Sequence, residues 1–226
     1  MTVRKALREN SLSAFFGIIL LLTLVGQAFT GLAEYNSSVS VNGLPKMTIG
    51  EYVTSSQFAV DVAENWQSEY LQFLLYIVLT VWLVQRGSPE SKQVDDQGGE
   101  DDRKQKVGRH TGPDSPRWAR VGGWRTTLYS SSLGIVMGLF FFGSWGAQLV
   151  AGTSAYNSER LQNLQAPISM PDYALSANFW NRTLQNWQSE FLAVGSMVVL
   201  SIYLRQRGSP ESKPVGAPHT ATGVEG

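Results

Sequence analysis

The chain has 226 residues, 18 lysines and arginines against 18 aspartates and glutamates, a formal net charge of zero and no cysteine. Without cysteine there are no disulfides, thiolate nucleophiles or cysteine metal sites, and the charge balance removes any global argument for nucleic acid as a partner. The mean hydropathy of −0.10 averages long apolar runs with long polar connections, so local windows decide the class.

In chain order, Arg4, Lys5 and Arg8 precede a charge-free apolar run at about 12–33 whose strongly polar residue is Gln27. A span of the hydrocarbon core needs about 20 such residues, with about 17 as a lower limit. The outer connection 34–65 places Ile49, Tyr52, Val53, Phe58, Val62 and Trp66 at roughly helical spacing, the pattern of an amphipathic segment on the membrane surface. A second apolar run at 66–84 carries Glu69 near its start and ends at Gln85-Arg86-Gly87-Ser88-Pro89-Glu90-Ser91-Lys92. Segment 93–123, rich in acids, glycine and then arginine, is too polar in its first part to bury a core and reads as a disordered linker. A third run at about 130–151 holds Gln148; the connection 152–186 repeats the amphipathic pattern with Tyr173, Leu175, Phe179, Leu184 and Trp187; and a fourth run at 187–204 carries Glu190. The tail 214–226 reads as disordered like the linker.

The second half restates the first. Residues 11–92 laid over 132–213 without a gap give 29 identities in 82 positions, among them Asn65-Trp66-Gln67-Ser68-Glu69 with 186–190 and the whole block 85–92 with 206–213. A fixed offset through helices and connections alike signals duplication. It also decides against a cleaved signal peptide at the first run, whose counterpart is internal. The expectation is an all-α integral membrane protein with four spans: hairpin repeat 1 at 1–92, linker 93–123, hairpin repeat 2 at 124–213 and tail 214–226. Lysine and arginine crowd the N-terminus, the linker and the tail, whereas the connections 34–65 and 152–186 hold Lys46 and Arg160 with Arg182. The positive-inside rule puts both termini and the linker in the cytoplasm, and two-span repeats point the same way, parallel across the membrane.

Trp66, Trp82, Trp187 and Tyr203 fall where the second and fourth runs meet the two interfaces, and belt anchoring accounts for them without a ligand. Counted from the midplane at 1.5 Å per residue, Glu69 and Glu190 lie about 8–9 Å outward and Gln27 and Gln148 about 7–10 Å outward. The four are candidates for an intramembrane polar cluster. Such a cluster either fixes helix register through hydrogen bonds worth on the order of 1 kcal/mol, or binds a cation or takes up protons. In the block 85–92 and its copy, arginine, glycine and proline suit a helix stop at the head groups. Arg86, Ser88, Glu90 and Lys92, with Arg207, Ser209, Glu211 and Lys213, are together a candidate docking or lipid head-group motif. Gly134 and Gly138 form a GxxxG suited to helix packing. Asn36-Ser37-Ser38 and Asn181-Arg182-Thr183 match glycosylation acceptors, a frequent chance match. No catalytic constellation, metal site or cofactor motif stands out, and His110 and His219 are isolated in polar segments.

With these blocks set out, the chain resembles an uncharacterised family of small bacterial membrane proteins, a domain of unknown function. The resemblance is carried by 65–71 and 186–192, by 85–92 and 206–213, and by the Tyr-Asn at 35–36 and 156–157. It implies a bacterial inner-membrane location and brings no activity, cofactor or partner. The functional expectation is therefore a non-enzymatic protein acting by association with itself, with membrane lipid or with another membrane protein. A small transporter or channel using the Glu/Gln cluster is the alternative.

Overall fold

The computed structural model describes residues 5, 8–41 and 43–224; Arg4 lies outside them. Among these residues there are helices and no strands. In chain order they are α1 (Ser11–Val41), α2 (Ile49–Val53), α3 (Ser56–Leu79), a 3-10 turn at Gly108–His110, α4 (Arg117–Arg120), α5 (Gly123–Ser130), α6 (Ser132–Gln162), α7 (Met170–Ala174) and α8 (Ala177–Tyr203). The chain forms two compact units: Met1–Val62 with Ala147–Ala174, and Ala63–Gly146 with Leu175–Gly226. Each takes material from both halves of the duplication, so the units cut across the two sequence repeats.

The helices outrun the apolar segments that announced them. No proline or glycine stands between Ala33 and Val41, and α1 runs on to a C-cap at Gly43. There Leu44 N–H reaches Val39 O (3.0 Å) and Gly43 N–H reaches Ser40 O (3.2 Å), the paired bonds of a Schellman motif, with Gly43 at φ +64°. The end of α6 is built alike: Gln165 N–H to Arg160 O (2.8 Å), Leu164 N–H to Leu161 O (3.0 Å), and Leu164 in the left-handed position at φ +57°. At 31 residues each, α1 and α6 extend about 46 Å at 1.5 Å per residue, more than a bilayer core requires.

Among the described residues, α1 and α6 are the two helices long and apolar enough to cross a membrane, and only 6% and 11% of their most apolar stretches are buried. A core helix of a soluble domain would be mostly buried. Along α1, Phe15, Phe16, Ile18, Ile19, Leu20, Leu21 and Leu22 are all exposed, which covers every face rather than one stripe. The second and fourth segments fall short of the same standard, because the polar Asn-Trp-Gln-Ser-Glu blocks sit within α3 and α8 and regular helix stops in α3 at Leu79, five residues before the apolar run ends.

In the first unit the turns that follow α1 and α6 fold alike. Asn36 Nδ2 donates to Met47 O (2.9 Å) and Met47 N–H donates to Asn36 Oδ1 (2.8 Å). Asn157 makes the same two-way clamp to Ile168, at 2.9 Å in both directions. The side chain that matched a glycosylation acceptor is thus a loop clamp. Thr48 and Glu51 form a capping box at α2, and the exposed Glu51 carboxyl is held below its ordinary range, mainly by the Thr48 backbone N–H and then by its hydroxyl. Tyr52 (2% exposed) lays its hydroxyl over Gly31, and Tyr173 (1% exposed) does so over Gly152. Glycine at those two positions admits a buried tyrosine onto the helix backbone.

In the second unit, a Cβ on Gly134 would meet Val78 at 3.7 Å and one on Gly138 would meet Leu74 at 3.9 Å. The GxxxG face of α6 therefore packs on α3 within the chain. Tyr70 stacks on Phe140 at 4.8 Å, and Trp145 gathers Phe141, Phe179, Trp180 and Trp187 around it at 5.7–6.2 Å.

Candidate functional site

The two Asn-Trp-Gln-Ser-Glu blocks join α3 to α8. Trp187 Nε1 donates to Gln67 Oε1 (2.8 Å), Ser68 Oγ donates to Glu190 Oε1 (3.4 Å), and Arg182 grips Glu64 with two bonds of 2.6 and 2.9 Å. Gln67 and Ser68 are buried, at 0% and 2% exposure. Trp187, expected as an interfacial anchor, is a hydrogen-bonded clasp here. Gln67 and Ser68 were not singled out by sequence, although their identity in both copies marked them. Glu64 and Arg182 left no such mark, since their counterparts are Gln185 and Asp61.

Of the proposed polar cluster, Glu69 and Glu190 belong to the second unit, and Gln27 and Gln148 to the first. Glu69 is exposed, Glu190 half-buried on Ser68, Gln27 half-buried and Gln148 fully buried. Of the other expected anchors, Trp66, Trp82 and Tyr203 are exposed, and Tyr203 lies against His219 with 5.5 Å between ring centres.

The block 85–92 folds as a turn and not as a helix cap. Ser88 N–H bonds Gln85 O (3.1 Å) and Ser209 N–H bonds Gln206 O (3.2 Å). Gly87 (φ +87°) and Gly208 (φ +81°) take the third position, where a type II turn requires positive φ. Ser91 Oγ accepts Gln85 N–H (2.8 Å) and donates to Lys92 O (2.9 Å); Ser212 does the same for Gln206 and Lys213 at 2.9 and 3.1 Å. Each lysine closes the chain that follows, Lys92 on Gly98 O (2.9 Å) and Lys213 on His219 O (3.0 Å). Lys213, 1% exposed, also bonds Gly87 O (2.5 Å), Ala221 O (3.2 Å) and Pro218 O (3.4 Å). Burial, and then the charge of Arg205, pushes its ammonium below the ordinary lysine range. The tail lies against the first turn, where Gly87 N–H bonds Thr222 Oγ1 (2.8 Å) and Gly223 N–H bonds Ser88 O (3.0 Å). Arg205, rather than Arg207, caps α8, donating to Ser201, Ile202 and Leu204 carbonyls at 2.8–3.3 Å. Arg86 and Arg207 remain exposed and Ser209 half-buried.

Between α3, the first turn and α8 lies a cavity of about 580 Å³, inside the range of small-molecule sites. Its apolar wall comes from Leu75, Leu79 and Leu83 on one side and Phe191, Val194 and Val198 on the other. Its polar end is formed by Tyr76, Gln85, Ser88 and Glu90. Tyr76 Oη donates a hydrogen bond to Glu90. Interaction with the Glu90 carboxyl, and then desolvation, hold the Glu211 carboxyl above its ordinary range. No group of three or more histidine, aspartate or glutamate side chains suited to a metal ion occurs among the described residues.

Residues 3–224 match the family model named Domain of unknown function (DUF6766), and the chain belongs to that family. No curated protein and no solved structure matches it.

Proposed function

We propose that this DUF6766 protein is a four-span membrane protein of two tandem, parallel hairpin repeats in the bacterial inner membrane, with both termini in the cytoplasm. In this reading α1 and α6 are the long spans, and α3 and α8, extended by the apolar residues after Leu79 and Tyr203, are the short ones. It works without catalysis, through association with lipid, with itself or with another membrane protein. The observation that carries the membrane reading is the pair of 31-residue apolar helices with almost no buried surface. Matching local geometry in both halves supports the repeat: the Asn36 and Asn157 clamps, the Tyr52 and Tyr173 contacts and the two serine-stapled turns. Arg86 and Arg207, exposed on those turns, suit anionic head groups at the cytoplasmic face. A second reading, a small transporter, draws support from the cavity under the first turn and none from the exposed Glu69.

The cysteine-free chain suits a labelling test. Single cysteines at Lys46, Gln105, Gln165 and Val215, all exposed, are treated with a membrane-impermeant maleimide on intact spheroplasts. Four spans give labelling at 46 and 165 only. Labelling of 105 together with protection of 165 means that α1 and α6 alone cross, and refutes the four-span arrangement.

A further inference from the structure

We infer that the cavity beneath the first turn binds a hydrophobic cation, an amphiphilic amine or onium ion, with Glu90 as its counter-ion. The argument begins with what the wall lacks. Among the residues lining the cavity, Glu90 is the one that carries a charge, and no lysine or arginine forms an ion pair with it or with Glu211 among the described residues. The lysines of the two turns are engaged elsewhere: Lys92 on Glu100 (3.4 Å) and Gly98 O, and Lys213 in its cage of carbonyls. A carboxylate on an apolar wall is destabilised by desolvation unless a charge or donors compensate it. Here the compensation is one tyrosine hydroxyl. A cation entering the cavity completes it, an anion is repelled, and a neutral apolar guest leaves the carboxylate as it was.

The rest of the cavity fits such a guest. Tyr76 and Phe191 line the cavity, and aromatic rings attract onium groups. Gly195 lies on the wall between Val194 and Val198, and a Cβ there would meet nothing within 4 Å, so the absent side chain leaves room for a guest. The membrane reading enters only as the route by which an amphiphile arrives, since the cavity's residues all belong to one compact unit.

The test uses two probes of one shape and opposite charge, tetraphenylphosphonium and tetraphenylborate, with the full chain purified in dodecyl maltoside and empty micelles as the partition control. Equilibrium dialysis is expected to show saturable phosphonium binding near one per chain and no saturable borate binding. Glu90→Gln should weaken phosphonium binding about tenfold or more, as the loss of one desolvated charge contact. Gly195→Leu fills the cavity from a position with no neighbour to clash, and should reduce binding at least as much while leaving thermal unfolding unchanged. If Glu90→Gln does not fold, Gly195→Leu decides alone. Equal binding of both probes, binding that does not saturate, or wild-type binding by folded Gly195→Leu overturns the inference. The labelling pattern is read separately, so a protein with four confirmed spans and no phosphonium site refutes the cavity assignment alone.

Discussion

Substituting alanine for Gly31 isolates one contact from everything else in α1. A Cβ at that position would lie 2.3 Å from Tyr52 Oη and 3.0 Å from Cζ. The far end of an exposed tyrosine could swing aside, but Tyr52 is 2% exposed and its ring is held between Tyr35 (6.2 Å) and Phe58 (5.7 Å). Overpacking of this kind costs about 1–3 kcal/mol, while glycine to alanine inside a helix returns up to about 1 kcal/mol. Gly26, in the same helix, has nothing within 4 Å of a Cβ, so Gly26→Ala reports the helix gain by itself. The difference between the two variants should be about 1–3 kcal/mol, read as SDS-titration midpoints of the detergent-solubilised chain by circular dichroism. Tyr52→Phe removes the 2.3 Å contact and leaves the one at 3.0 Å, so in that background half or more of the penalty should vanish. Gly152→Ala should behave like Gly31→Ala, with Tyr173 Oη 2.7 Å away. If Gly31→Ala and Gly26→Ala agree within about 0.5 kcal/mol, the resolution expected for distant sites, the tyrosine is not packed on the helix and the reasoning fails.

Four further outcomes are expected. Leu164→Gly should stabilise the chain by up to about 1 kcal/mol in the same titration, since left-handed leucine is strained by about 1–2 kcal/mol and a side chain 97% exposed gives up no packing. Trp187→Phe should cost about 1–3 kcal/mol by leaving buried Gln67 without the indole donor, whereas Gln67→Met should cost less, because the indole N–H it orphans is only part-buried and the substitution also removes Gln67 Nε2, which has no partner among the described residues. Gly208→Ala should cost about 1–2 kcal/mol for positive φ alone. Gly87→Ala should cost more and open 214–224 to protease, because its Cβ would also lie 2.4 Å from His219 O. For Glu211, whose folded pKa is raised, the contribution to stability is full below the ordinary glutamate range and is lost as pH rises through the folded value. Amide exchange over 206–213 should therefore be slower at pH 5 than at pH 7.5 after correction for intrinsic rates, and Glu211→Gln should flatten that difference.

What the sequence made legible followed from period and composition. The two long helices were visible in charge-free runs, and the fixed offset of 121 residues foretold that the Asn36 clamp and the serine-stapled turn would each occur twice. Boundaries were less legible, because Glu34-Tyr-Asn-Ser-Ser is polar without being helix-breaking and α1 runs through it. The block 85–92 is a related case. Arginine, glycine and proline are the residues of a helix stop, yet Thr80 Oγ1 bonds back to Tyr76 O (2.6 Å) and regular helix ends before the block begins. Its glycine meets the requirement of a turn instead. The contact that matters most to the site, Tyr76 with Glu90, joins positions whose spacing in sequence carries no period, and pattern reading had no purchase on it.

The two turns also show how an identical segment comes to do unequal work. Eight residues agree at 85–92 and 206–213, and each copy has the same turn, serine staple and lysine grip. Their neighbours differ: Val84 stands opposite Arg205 in the repeat, and Tyr76 opposite Met197. Arg205 ties the end of α8 to its own carbonyls and to Ala217 O (3.0 Å), which brings the tail within reach of Lys213 and sets it on the first turn. Valine can make no such cap. Tyr76, in turn, gives Glu90 a hydroxyl that Met197 cannot give Glu211, so one glutamate is drawn to the cavity wall while its copy stays exposed. Replacing Tyr76 by phenylalanine should therefore free the carboxylate from the cavity wall without disturbing either turn. That outcome is readable as loss of phosphonium binding with unchanged amide protection at 85–92.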